Sequence, residues 1–289
     1  MNFLMTTIDG VELWIVLLIC FGVFFASFMD GIGGGGGIVS VPTYFIGFTG
    51  MNESTKFALG TNKLSASIGT IFSLARFMKN GFVIWRLALP GMVLAYSGGM
   101  VGSWLKSYTN ELVLKYLLIV ILPIMAVFTL MSKKWPDKPG QIDPKKQMLI
   151  VCLASLVIGA YDGYYGPGCG TLLMLVCIRM GKLDSRNAAG TVKVINLASN
   201  IGGLVGDCMA GFVFYRVGLI AAVASIAGHY MGAGVTIKNG SKIIKPSIII
   251  VLLLLTIKII TELIWPEFWG ASSAQEDVTM ALHTIRGVL

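Results

Sequence analysis

Residues Asp30-Gly31-Ile32-Gly33-Gly34-Gly35-Gly36-Gly37 decide the fold. They close one apolar run, 13–29, and open a short second one, 38–48. Five consecutive glycines cost more backbone entropy than close helix packing alone would warrant. The spacing Gly31-x-Gly33-x-x-Gly36 can be overlaid on a dinucleotide fingerprint, but that fingerprint must follow a strand. Here a run of membrane-spanning character comes first, so the glycines read as a break inside membrane-embedded chain. A helix over 38–48 reaches about 16 Å, half of a hydrocarbon core about 30 Å thick. Unwound backbone at that depth survives only when buried in protein or lining a cavity. A half-helix that starts there turns the positive end of its dipole and its free N–H groups toward that cavity, which suits an anion.

The chain repeats this device. Asp162-Gly163-Tyr164-Tyr165-Gly166-Pro167-Gly168-Cys169-Gly170 lies 132 residues on, followed by a second short apolar piece at 171–180. Ala58-Leu59-Gly60-Thr61-Asn62-Lys63 then matches Ala188-Ala189-Gly190-Thr191-Val192-Lys193, and Gly81, Arg86, Gly98 and Gly102 match Gly211, Arg216, Gly228 and Gly232. The domain reading is an N-terminal transmembrane repeat over 1–131, a polar linker over 132–146, a C-terminal transmembrane repeat over 147–265 and a tail over 266–289. Small-xxx-small pairs such as Gly98/Gly102, Gly202/Gly206 and Gly228/Gly232 are assigned to helix packing.

Composition agrees with this picture. Of 289 residues, 55% are hydrophobic and 12% charged, and the mean hydropathy is +0.80. A soluble domain carries about 25% charged residues, so a soluble surface is excluded, as are disorder and a collagen-like repeat. Apolar runs at 13–29, 87–105, 116–132 and 217–237 are the clearest spans; 57–77, 147–161, 188–206 and 246–265 are further candidates. No basic segment precedes the first run, so it reads as a retained helix rather than a signal peptide. Basic residues orient membrane proteins. Placing the lysine-rich linker in the cytoplasm puts fourteen of the 22 lysines and arginines in cytoplasmic loops. It also puts the loop at 79–86 inside and its partner at 209–216 outside, while the acidic tail falls outside. The fold class expected is an all-α polytopic membrane protein. It consists of two inverted-topology repeats, each a broken Gly-rich hairpin plus three transmembrane helices. The net charge of +8 is then a topology signal, and no nucleic-acid partner is expected.

The candidate site collects around the two breaks. Gly33, Gly34, Gly35, Gly36 and Gly37, with Gly166, Gly168, Cys169 and Gly170, form the backbone cradle. Lys63 and Lys193 are charges within spans, expensive unless they face a cavity or a partner. The alternative is that they snorkel to the interface. Thr61, Asn62 and Thr191 flank them, and Asn196 and Asn200 follow Lys193 at helical spacing. Asp30 and Asp162 sit at the breaks, either capping freed N–H groups, pairing with a lysine, or carrying a coupling proton. Cys169 is a small apolar residue in packing terms; beside an anion site it is also a candidate contact to a sulfur-containing ligand. Asp207, Lys258 and Glu262 read as interfacial, and His229 as a packing or hydrogen-bonding residue. The five cysteines and two histidines form no ligand cluster, so no metal, cofactor or disulfide framework is expected. No nucleophile–base set stands out, so an enzyme is not expected.

The Asp30 glycine break with Pro42, then Gly60-Thr61-Asn62-Lys63, then Gly190-Thr191-Val192-Lys193, resembles the sulfite exporter TauE/SafE family, the 4-toluene sulfonate uptake permease family. The similarity runs over about 11–264. The second break departs from the family's Gly-rich form, with Tyr164, Tyr165 and Pro167. The resemblance implies a secondary transporter of small sulfur-containing anions (sulfite, thiosulfate, sulfoacetate or other organosulfonates), working by alternating access. It implies a multi-pass protein of the cytoplasmic (inner) membrane of a prokaryote, most readily an exporter. Its partners would be that anion, membrane lipid and a coupling proton. The same architecture would serve a passive small-anion channel or a transporter for a non-sulfur organic anion.

Overall fold

The computed structural model describes residues 7–48, 51, 54–110, 113, 138–240 and 242. The expected spans at 116–132 and 246–265, the first part of the linker (132–137) and the tail lie outside the described residues. Within them the chain forms eight helices. In the first half these are α1 (Leu13–Gly33), α2 (Gly37–Gly47), α3 (Ser54–Lys79) and α4 (Trp85–Ser107). In the second they are α5 (Pro144–Tyr164), α6 (Cys169–Arg179), α7 (Ser185–Met209) and α8 (Tyr215–Asn239). The protein is an all-α polytopic membrane protein. A small hairpin of two-residue strands, Thr7–Ile8 and Val11–Glu12, precedes α1. Its turn residue Asp9 accepts from the backbone N–H of Arg216 and Val217, so it caps the start of α8.

α1, α5 and α8 are each long and apolar enough to cross a membrane. At 11 residues apiece, α2 and α6 cover only half that distance. The short pieces expected after each break therefore exist, shifted by one or two residues. Helix starts follow local chemistry. Asp143 accepts from Lys145 N–H with Pro144 at the first helical position. Asp184 likewise accepts from Asn187 N–H at the head of α7.

Packing is reciprocal between the halves. α1 lies along α8, and its counterpart α5 lies along α4; α3 packs on α8, and its counterpart α7 packs on α4; α3 and α7 also touch each other. Glycines make these crossings close. A side chain at Gly98 or Gly102 would overlap the α5 backbone at Leu156 or Ala160, and one at Gly228 or Gly232 would overlap the α1 backbone at Phe24 or Phe28. Gly202 meets Tyr96 and Gly206 meets Ser103 across the α4–α7 contact. The pairs assigned to packing therefore sit at helix crossings, where van der Waals contact is the main adhesive in lipid. Outward positions such as Leu17, Phe21, Val93, Val101, Leu153, Val157 and Val223 expose apolar side chains, as a lipid-facing surface requires. Trp14, Trp85 and Trp104 are exposed near helix ends.

One charged residue lies elsewhere than expected. Asp207 is fully buried rather than interfacial. It pairs with Lys106 Nζ at 2.6 Å, itself fully buried, and accepts from Ser103 Oγ at 2.5 Å. The two residues sit on neighbouring helices, α4 and α7. Lys106 lies four residues past Gly102 but has Thr236 at the repeat offset, so the repeat carried no sign of the pairing.

Candidate functional site

The two breaks touch. Gly34 adopts φ +80° and its α-carbon faces the Gly170 backbone so closely that no side chain fits at position 34. Both requirements, the left-handed conformation and the missing Cβ, are met by glycine alone. Across the same contact, a Cβ on Gly37 would lie 3.2 Å from Pro167 Cα. The starts of α2 and α6 are thereby held at one place, and Gly35, Gly36, Gly37, Gly166, Gly168, Cys169 and Gly170 all line a single cavity. Two helix N-termini thus bear on it with their positive ends. The cavity holds about 40 Å³ of water-accessible space, room for about three water-sized atoms.

Charge enters the cavity by a crossed arrangement. Lys63, on α3 of the first half, reaches Asp162 of the second half at 3.2 Å. Lys193, on α7 of the second half, bonds both the carboxylate and the backbone carbonyl of Asp30 in the first. The lysines are 2% and 3% exposed, so neither snorkels to a surface. Buried charge is stable only when paired and hydrogen-bonded, and each half supplies the other's counter-ion. Asp162 also accepts from Ser199 Oγ at 2.5 Å and Cys169 Sγ at 3.1 Å. Asp30 also accepts from Gly36 N–H at 3.2 Å and meets His229 Nε2 at 3.0 Å. The carboxylates therefore pair with lysines, and Asp30 also ties down the break that follows it.

Asn62, Lys63, Asn196, Asn200, Asp30 and Asp162 line the cavity with the glycines. Asn200 Oδ1 lies 3.4 Å from Lys63 Nζ, and Asn196 Nδ2 donates to Cys169 Sγ at 3.1 Å. Gly33 and Gly34 stand just outside the lining, as does Lys193 behind Asp30. Thr61 and Thr191 are buried elsewhere. Their hydroxyls accept from the backbone N–H of Phe214 and Ile84, fixing the turns that lead into α8 and α4. Their matched positions reflect a structural duty repeated in both halves.

The structure adds residues that the sequence did not single out. Ser27, Ser40, Ser65, Tyr165 and His229 line the cavity, beside Thr70, which does follow Lys63 at helical spacing. Ser199 bonds Asp162 from the helix face next to Asn196 and Asn200. His229 was visible as a histidine inside an apolar run, but its counterpart at the repeat offset is Gly99, so the repeat did not mark it.

Comparison with known proteins places these features in a lineage. The model of the sulfite exporter TauE/SafE family matches residues 19–259. A probable membrane transporter protein of Haemophilus influenzae is 29% identical over 90% of this chain and 99% of its own length. The probable membrane transporter protein YfcA of Escherichia coli K12 is 29% identical over 81% of this chain and 86% of its own. A probable membrane transporter protein of the archaeon Methanocaldococcus jannaschii is 25% identical over 79% of this chain and 88% of its own. No solved structure matches the chain.

Proposed function

The chain belongs to the sulfite exporter TauE/SafE family and is a multi-pass membrane transporter; from that premise we propose that it carries small sulfur-containing anions across the cytoplasmic membrane of a prokaryote by alternating access. One observation carries the reading: both half-helix starts and both crossed lysine–aspartate pairs meet on one cavity. Helix N-termini, three asparagines and Lys63 supply donors in the lining, and an oxyanion has only acceptors to offer them. The small volume supports an ion of sulfite or thiosulfate size over a bulky organosulfonate.

The reciprocal packing supports two related repeats, and the placement of basic residues supports inverted topology, with the loop at 79–86 cytoplasmic and the loop at 209–216 outside. Rocking of one repeat against the other would expose the central cavity to each side in turn. Export is the direction proposed. The test is flux of labelled sulfite, thiosulfate and sulfoacetate into everted membrane vesicles carrying the full chain. Uptake of a sulfur anion that accumulates above its external concentration is the expected result. Downhill flux alone would make the protein a channel, and flux of cations with none of sulfur anions would overturn the site.

A further inference from the structure

His229 joins a carboxylate on one side of its ring to a carbonyl and a hydroxyl on the other. Nδ1 lies 3.1 Å from the backbone carbonyl of Ser225, and Nε2 lies 3.0 Å from Asp30 Oδ2. A neutral imidazole has one N–H. On Nε2 that N–H donates to Asp30 while Nδ1 accepts from Ser225 Oγ; on Nδ1 it donates to the Ser225 carbonyl, and Nε2 then faces the carboxylate acceptor to acceptor. One additional proton, on the ring or on Asp30, satisfies the Nε2–Oδ2 contact while Nδ1–H donates to the carbonyl. The ring has little freedom to turn away, because it is 2% exposed. A Cβ on Gly69 would stand 2.6 Å from Nδ1, so α3 carries glycine where the imidazole needs room.

Among the described residues no titratable side chain other than Asp30 bonds the imidazole. α1 contributes Asp30 and Ser27, and α3 contributes Thr70, 3.3 Å from Nε2. On α8 itself, Ser225 Oγ lies 3.2 Å from Nδ1 and passes on to Ser27 Oγ at 2.9 Å. Lys193 reaches the dyad only through Asp30. With Lys63, Lys193, Asp30 and Asp162 all ionised, the four central charges cancel. A proton on the dyad raises the site to +1, and a univalent anion entering beside it restores neutrality in a place where net charge is costly.

We propose that His229 and Asp30 form the proton-binding site of this protein, holding one exchangeable proton between Nε2 and Oδ2, and that this proton accompanies the anion. The anion half of the statement rests on the transport reading above; the proton half does not. By linkage, each ligand raises the other's affinity by the same factor, ordinarily about 5–150-fold.

The chain has two histidines, His229 and His283. His283→Gln in the purified full-length protein therefore leaves one imidazole to observe by nitrogen NMR of labelled histidine. The expected result, on a scan from pH 5 to 9 without substrate, is a one-proton transition of His229 that is displaced when Asp30→Asn is added. Saturating sulfite should move it upward by about one pH unit, a tenfold gain in proton affinity within the usual coupling range. An imidazole that keeps one protonation state throughout that range, neutral or charged, overturns the proton site, and this needs no change in the cavity. A transition that sulfite leaves unmoved, while sulfite flux is present, overturns the coupling. Absence of sulfite flux with the transition intact breaks the transport reading and leaves the proton site standing.

Discussion

Asp30 and Asp162 occupy the same place in the two halves and live in different company. Each is answered by a lysine from the opposite half. Around Asp162 the remaining partners are a serine hydroxyl and a thiol, both of which donate one hydrogen and stay neutral. Around Asp30 the remaining partners are a backbone N–H and an imidazole. The matching motifs pair an acid with a base in each half, but position 99 is glycine where position 229 is histidine, so only Asp30 has an imidazole beside it.

The sharpest way to break this comparison is to remove its common element. Lys63→Met and Lys193→Met should each cost about 3–5 kcal/mol of stability, because each strands a buried carboxylate. Thermal unfolding in detergent would show it, together with loss of sulfite flux. Adding Asp162→Asn to Lys63→Met should recover most of that stability but not the flux; no recovery would mean the pair is not what holds α3 to α5. Lys106→Met should be as damaging to stability, since its pair with Asp207 is equally buried, but Lys106 does not line the cavity. Its companion Lys106→Met/Asp207→Asn should regain stability and flux together, which separates a structural pair from the two central ones. Ser199→Ala removes a hydrogen bond to a charged acceptor and should cost about 1.5–3 kcal/mol, read by the same unfolding measurement. Cys169→Ser should cost least, under about 1 kcal/mol, because a hydroxyl can donate to Asp162 in place of the thiol; a larger loss of flux than of stability would give the sulfur a role in the site.

Much of this was legible in the sequence, for reasons particular to each residue. The glycine run announced a break because nothing else justifies five glycines. The lysines were conspicuous because charge is rare in an apolar span, and their matching positions pointed to a shared centre. The crossed partnership was beyond reach, since Asp30 lies 163 residues from Lys193 and only the tertiary packing brings them together. Thr61 and Thr191 misdirected attention for an instructive reason: a repeat preserves cap bonds as faithfully as it preserves chemistry. Ser199 stayed hidden, and His229 read only as a packing or hydrogen-bonding residue, because both break the repeat and a search for symmetry passes over what is asymmetric. Asp207 resembled an interfacial residue because it falls near a helix end; its burial depends on Lys106 arriving from a different helix.

The crossed pairs also bear on what makes a complete unit. Cut between its halves, either piece would hold one buried lysine and one buried aspartate with no counter-ion of its own, since Lys63 answers Asp162 and Lys193 answers Asp30. The smallest self-sufficient unit is therefore two halves together. A piece of half this length could balance its buried charges only by meeting the other half in the membrane, and a single chain makes that meeting permanent.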